Sequence, residues 1–258
     1  MRKLFLLFCL FSLSAYGKII EIKEMRQAAP YIDKDTLVIF DIDNTIMETK
    51  QTLGSNQWFE YRIGVYKSKG MNEFDALENA LHEWMAAQHI TEVKLVEPCI
   101  SDFIKDLQEK NITIIGLTTR GLGLSTCTFH QLQRLSVDLS KTSPSQKEIH
   151  FINGKEGVLF RKGILFTAGT QKGKALDTLL SQIGFHPKKI LFINDKRKHL
   201  EAVEIVYEDS NTVFTGLRYG YLDEKVKNFA PEIADLQFSQ FGQIISDAKA
   251  KKILEKLR

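Results

Sequence analysis

Cysteine and proline are both scarce, three and five residues among 258. So few cysteines exclude a disulfide-dense mini-protein, and so little proline, with 16 glycines, excludes collagen-like repeats. Cys9 lies in an N-terminal apolar run, which leaves Cys99 and Cys127. Both lie beside predicted core elements and are open to two readings, a disulfide in an oxidising compartment or two buried free thiols. Neither has a neighbour at metal-ligand spacing, so the sequence offers no zinc site. An excess of one charge is also missing: 35 Lys and Arg face 32 Asp and Glu. Arg2 and Lys3 supply two of the basic residues, and the rest of the chain is close to neutral. Nothing in that balance demands a nucleic acid or an anionic membrane as partner.

What is present is an ordinary globular composition, 43% apolar and 26% charged, in a length that suits one large domain or a core with a modest insert. The first 17 residues read MRKLFLLFCLFSLSAYG. Two basic residues precede an apolar run from Leu4 to Leu13, and Ala15 and Gly17 place small residues at −3 and −1. This is the layout of a secretory signal peptide and predicts export to the periplasm or beyond. A run of ten residues is too short to cross a bilayer core of about 30 Å as a helix. No later run is longer, so the sequence predicts no stable membrane span.

Apolar, β-branched runs recur along the chain: Thr36–Phe40, Asn111–Leu117, Lys189–Ile193 and Asn211–Gly216. Runs without alternation suit strands buried on both faces of a parallel sheet. Helical spacing lies between them, at Ile100–Lys110 and Lys174–Ile183. Alternating strands and helices predict an α/β fold with a doubly wound, Rossmann-like parallel sheet. Residues 48–97 break the alternation with helical spacing through Trp58, Tyr61, Val65, Leu77, Leu81 and Trp84, and predict a helical insert over the sheet. The plan is then a leader at 1–17, an α/β core at 18–47 and 98–258, and an insert at 48–97. Leu122–Thr170 predicts a small β excursion, and Gln240–Arg258 a terminal amphipathic helix.

The chemistry stands where the predicted strands end, the edge at which open α/β sheets bind ligands. LVIF runs into Asp41-Ile42-Asp43-Asn44-Thr45, IIGL into Thr118-Thr119-Arg120, and ILFI into Asn194-Asp195, while Lys172-Gly173 opens a predicted helix. LVIFDIDNT resembles the first motif of the haloacid dehalogenase superfamily of phosphatases and phosphotransferases. Thr118, Lys172 and the Asn194-Asp195 pair match its other three motifs in the required order, from Leu37 to about His199. Thr118-Thr119-Arg120 resembles the form seen in secreted acid phosphatases of that superfamily. The leader and the Lys-Gly third motif are similar to an exported bacterial branch.

The resemblance implies a core with a helical cap between the first and second motifs, and a small-molecule phosphate monoester as substrate. Asp41 is implied as the nucleophile that forms an aspartyl-phosphate, and Asp43 as the acid and base that serves the leaving alcohol and then water. Mg²⁺ is the implied cofactor, held by Asp41, the Asp43 backbone carbonyl and Asp195. Thr118, Lys172 and Arg120 are implied phosphate-binding residues. Asp at the second position of D-x-D favours hydrolysis over a persistent phosphoenzyme.

Several alternatives stay open. Lys174 competes with Lys172, and Thr119 with Thr118. The Lys196-Arg197-Lys198 run reads as a solvated face, and Trp58, Tyr61 and Trp84 as insert core or as substrate contacts. Where many relatives carry Asp-Asp, this chain has Asn194-Asp195, and Lys198 and His199 stand where an acid or amide is expected, with Glu201 beyond. Those departures keep a rival in play, a catalytically weak binding or effector protein on the same scaffold. A phosphotransferase is a third reading.

Overall fold

The computed structural model describes residues 18–240 and 245–257, and the expected leader lies outside them. From the start, β1 (Lys18–Ile22) and a 3-10 turn (Met25–Tyr31) lead into β2 (Thr36–Phe40). A short strand β3 (Met47–Thr49), helices α1 (Asn56–Ser68) and α2 (Glu73–Ile90), and β4 (Val93–Leu95) follow. The chain continues through α3 (Ile100–Glu109), β5 (Thr113–Thr118), α4 (Ser125–Arg134), β6 (Ile149–Asn153), β7 (Glu156–Arg161) and β8 (Ile164–Phe166). Then come α5 (Lys172–Ile183), β9 (Lys189–Asn194), α6 (Arg197–Tyr207), β10 (Val213–Tyr219), α7 (Asp223–Lys227), α8 (Pro231–Ser239) and α9 (Asp247–Leu257).

Eight strands form one sheet in the order β1-β10-β9-β2-β5-β8-β7-β6. The pairings from β1 across to β8 are parallel, and β7 and β6 close that end antiparallel. Period-two alternation in β2 serves both layers. Leu37 and Ile39 pack with Leu176 and Leu179 of α5 and with Leu200 and Val203 of α6. Val38 and Phe40 pack on the opposite side with Ile100, Phe103 and Leu107 of α3. The sheet is therefore doubly wound, and a strand whose every residue is buried has no polar position to spare. β2 lies between β5 and β9, with Phe40 beside Gly116 and Ile193, so the carboxyl ends of the three strands share one edge.

α1 and α2 form an insertion between β3 and β4, which pair antiparallel from Met47↔Leu95 to Thr49↔Val93. Ser55 caps α1 by accepting from the Trp58 N–H, and Asn72 caps α2 by accepting from the Asp75 N–H. Their apolar faces bury Leu53, Trp58, Trp84 and Ala87 with Leu124 and with Ala234 of α8. The Trp58 ring lies 5.4 Å from that of Phe238, and the Tyr61 hydroxyl donates to Asp235 over 2.7 Å. No helix among the described residues is long and apolar enough to cross a membrane.

Two expectations need correction, and one strand was not expected at all. The Leu122–Thr170 stretch opens with a helix, α4, before its strands begin; the buried side of α4 carries Ser125, Thr128 and Gln131 with Leu132, so apolar periodicity does not mark it. β1 was not foreseen, because KIIEI carries an acid inside a five-residue edge strand. The terminal helix begins at Asp247, since Gln240 caps the end of α8 instead. Cys99 and Cys127 are both free thiols, and the Cys127 Sγ–H donates to the Gln88 carbonyl over 3.2 Å.

Gly173, in the first turn of α5, lies so near α6 that a Cβ there would stand 2.2 Å from the Ala202 carbonyl oxygen and 2.8 Å from the Val206 side chain. Gly173→Ala must push two helices apart. It should lower unfolding free energy by about 1–3 kcal/mol, read as a lower urea midpoint with an unchanged slope. An unaltered midpoint would show that the α5–α6 spacing does not depend on this residue.

Candidate active site

The loop after β2 keeps one strand bond, Asp41 N–H to the Ile193 carbonyl at 2.9 Å, and then turns sharply. The Ile46 and Met47 N–H groups both donate to the Ile42 carbonyl, and Asn44 N–H donates to Met47. Asn44 adopts a left-handed φ of 60°, a conformation asparagine tolerates better than most residues. The turn sends Asp41 into the protein, 5% exposed, and Asp43 toward the end of β5.

Lys172, the first residue of α5, is 2% exposed. Its Nζ donates to Asp41 Oδ1 over 2.5 Å and to the Leu117 carbonyl over 2.9 Å. Lys174 is exposed, so helix register brings Lys172, and not Lys174, against Asp41. Thr118 is buried, and its Oγ1 accepts the Arg120 N–H at 3.1 Å. Thr119 is exposed. Burial pushes the Asp41 carboxyl above its ordinary value, the charge of Asp43 adds to this, and Lys172 opposes it.

β9 delivers Asn194 and Asp195 to the same edge. Asn44 Nδ2 donates to Asp195 Oδ2 over 3.4 Å, and the Asp195 N–H donates to Thr45 Oγ1 over 3.3 Å. Asp195 Oδ1, Asn194 Nδ2 and His199 Nδ1 are buried without a hydrogen-bond partner among the described residues. Desolvation, with the nearby Asp41 charge next in size, pushes the Asp195 carboxyl up to about 7. His199 is held down to about 2 by burial and by Lys172, Lys196 and Lys198, so it is neutral at ordinary pH. Glu201 is exposed and is no replacement for the acid missing at positions 198 and 199.

Two residues stand differently from the sequence reading. Arg120, expected to meet phosphate, is 2% exposed and turned inward. Its Nε and Nη2 grip both Asp43 oxygens at 2.8 and 2.7 Å. Nη1 donates to Thr128 and Gln131, and Nη2 also to Gln88 Oε1. That engages all five N–H groups of a guanidinium and leaves none for a ligand. Asp43 consequently faces Arg120 and does not stand free in the cleft. The solvated-face reading of the 196–198 run holds for exposed Arg197 and Lys198; Lys196, however, reaches across to Glu60 of α1 at 2.6 Å.

Gln88, Thr128 and Gln131 were not foreseen. Gln88 links the insertion to the core: its Nε2 donates to Gly54, its Oε1 accepts from Arg120, and its backbone carbonyl accepts from Gln131 and Cys127. Glutamines and a threonine on amphipathic helices carry no chemical signature in sequence, so only their burial reveals them.

Two cavities adjoin this edge. A small one of about 130 Å³ is lined by Asn44, Asp195 and Lys196, with Asn56 and Glu60 from α1. A larger one of about 550 Å³ opens between the insertion, the loop after β5 and the β6–β7 turn, and shares Asn56 with the first. Trp84 lines the larger cavity, with the Arg120 guanidinium 5.4 Å from its ring centroid; Trp58 is fully buried insert core.

Comparison with known proteins adds the following. The chain is 25% identical over 256 residues to a Chlamydia trachomatis protein named "Putative outer membrane protein", covering 97% of this chain and 96% of the relative. A Chlamydia muridarum protein of the same name is 26% identical over 243 residues, covering 93% and 91%. Among solved structures, a haloacid dehalogenase-like family hydrolase from Streptococcus pneumoniae aligns with TM-score 0.43 and 10% identity, over 74% of this chain and 97% of that one. A family match spans residues 18–251, and on it the chain belongs to the family described as "Protein of unknown function (DUF2608)".

Proposed function

We propose that the protein is an exported, divalent-cation-dependent phosphomonoesterase with Asp41 as its nucleophile. One observation carries this reading: a buried carboxylate at the carboxyl edge of a parallel sheet, gripped on one oxygen by Lys172, beside a second acid whose shielded oxygen has no partner among the described residues. The motif order from Asp41 through Thr118 and Lys172 to Asp195 supports the same chemistry. The leader-like residues 1–17 and the outer-membrane names of the relatives support export.

The residues fit a hard cation. Besides desolvation, Asp41 lies near enough to push the Asp195 carboxyl up, Lys196 and Lys172 oppose this, and the Asp195 Oδ1 has no donor among the described residues. Among the described residues no group of three or more His, Cys, Asp or Glu gathers as a metal site. The ion would therefore rest on two carboxylates, the Asp43 carbonyl and water, the sparse protein donor set that Mg²⁺ tolerates. When bound it would supply the positive charge that lets a phosphate dianion approach a carboxylate.

The chain's own residues do the rest. Lys172 holds Asp41 Oδ1, which leaves Oδ2 to attack phosphorus as the ester P–O bond breaks. Asp43 gives its proton to the departing alkoxide, for which its carboxyl has to leave the grip of Arg120. Water then attacks the aspartyl-phosphate, hands a proton to Asp43, and releases phosphate with Asp41 restored. The Thr118 hydroxyl already accepts a bond from Arg120 N–H, so its own hydrogen is free for a phosphoryl oxygen.

With Mg²⁺, the mature protein should hydrolyse an aryl phosphate, and Asp41→Asn should cut the rate by at least about a thousandfold. Asp43→Asn should cost on the order of a hundredfold. Continuous phosphate-release assays check both, and wild-type rates in Asp41→Asn would refute the assignment. The rival reading, a binding protein without turnover, predicts no phosphate release from either.

A second expectation concerns the metal-free protein. Asp195 is raised to about 7, so the folded state holds its proton more tightly than the unfolded chain does. The stability gained from that proton is complete below the unfolded value near 4 and is lost as pH rises through 7. Without metal, the melting temperature should fall by roughly 5 °C or more between pH 5 and pH 8. Asp195→Asn should flatten that slope; a variant that melts with the wild-type pH profile would place the linkage elsewhere.

A further inference from the structure

We infer that the ester taken by this site is the monophosphate of an uncharged, apolar alcohol, aryl or alkyl, whose carbon skeleton lies in the larger cavity. The inference rests on the phosphomonoesterase reading and narrows its substrate. The interior wall is carbon, from Phe59 on α1, Leu81, Trp84 and Met85 on α2, and Leu124 before α4. Three large apolar side chains that would otherwise have no reason to face water gather at its rim: Phe74 is 69% exposed, Leu77 40% and Leu122 36%. Isolated exposed apolar residues mean little, but a contiguous group around a concave apolar wall marks a binding surface.

Charge selects the occupant. Apart from Arg120, the charged residues lining this cavity are Glu78 and Glu156. Arg120 has committed all five N–H groups to Asp43, Gln88, Thr128 and Gln131. A substrate with a second phosphate or a carboxylate on its alcohol would meet two acids and no available cation. A polyol would strip water from its hydroxyls and find carbon in return. The polar groups on the wall are few, chiefly Asn56, Thr119 and the Trp84 Nε1–H, which has no partner among the described residues.

The cavity also adjoins the residues of the proposed chemistry. Thr119 and Arg120 on its wall directly follow Thr118, and Arg120 holds Asp43. Asn56 lines both this cavity and the small polar one that contains Asp195. A phosphate at the sheet edge and a hydrocarbon under the insertion are thus the two ends of one molecule.

Binding can be read without turnover. With Mg²⁺ present, isothermal titration of the Asp41→Asn protein should show n-octyl phosphate binding about a hundredfold tighter than methyl phosphate, from the burial of a few methylenes. Glucose 6-phosphate should bind no tighter than methyl phosphate. Leu77→Lys, a change at an exposed rim position, should narrow the octyl-to-methyl ratio by about tenfold. Octyl and methyl phosphates within threefold of each other, no binding of octyl phosphate, or a preference for glucose 6-phosphate would each overturn the inference. Turnover by the wild-type protein separates the two claims. Octyl preference with no hydrolysis of any ester strikes the phosphatase reading and leaves the apolar site standing; hydrolysis of all three esters at equal kcat/KM strikes the apolar site alone.

Discussion

Withdrawing the Asp41 carboxylate from water at the end of β2 costs several kcal/mol unless a cation meets it, and Lys172 supplies that cation from the first residue of α5. The requirement reaches far into the fold. The lysine can arrive only if the start of α5 sits close against the sheet, and α5 sits there because Gly173 lets the α6 backbone come near. Asp195 then adds a second acid nearby: desolvation, with the Asp41 charge next and Lys196 and Lys172 opposing, raises its carboxyl to about 7 and leaves an oxygen with no donor among the described residues. Burial, with Lys172, Lys196 and Lys198 adding to it, keeps His199 neutral, which removes it as a carrier of positive charge. What is left is a pocket with an electrostatic need that the described side chains do not meet.

Much of the sheet could be read from sequence because its strands are buried on both faces. LVIF, IIGL and ILFI have no polar positions, and each ends where the backbone leaves the layer. The D-x-D-N-T loop was legible for the same reason: two acids directly after a buried strand have nowhere to go but the sheet edge. The choice between Lys172 and Lys174 was not legible, since positions two apart point to nearly opposite sides of a helix, about 200° apart, and only the packing fixes which one enters. Helix α4 escaped notice because its inward side carries Ser125, Thr128 and Gln131, residues that serve Arg120 or pack in place of hydrocarbon.

Arg120 shows where local pattern and three-dimensional context part. Its position after Thr118-Thr119 suits an anion contact, yet its neighbours decide otherwise. Gln88 arrives from a helix some thirty residues earlier, and Thr128 and Gln131 from the helix that follows. Each supplies an acceptor, so the guanidinium is fully satisfied and Asp43 becomes part of a buried network spanning insertion and core. A network of this kind fixes geometry more tightly than apolar packing, because every member left unpaired carries its own desolvation penalty.

The chain enters and leaves the insertion through adjacent paired strands, Met47 opposite Leu95 and Thr49 opposite Val93. Everything between Thr49 and Val93 is consequently a closed excursion whose two ends are one interstrand spacing apart. Lengthening, shortening or exchanging the helices there transmits no register shift to β2 or β5. Its cost falls on the surface shared with α8 and Leu124 and on the bonds that Gln88 and Glu60 make to the core. Chains built on this plan are thus free to vary the insertion wherever Arg120 keeps an acceptor at the Gln88 position.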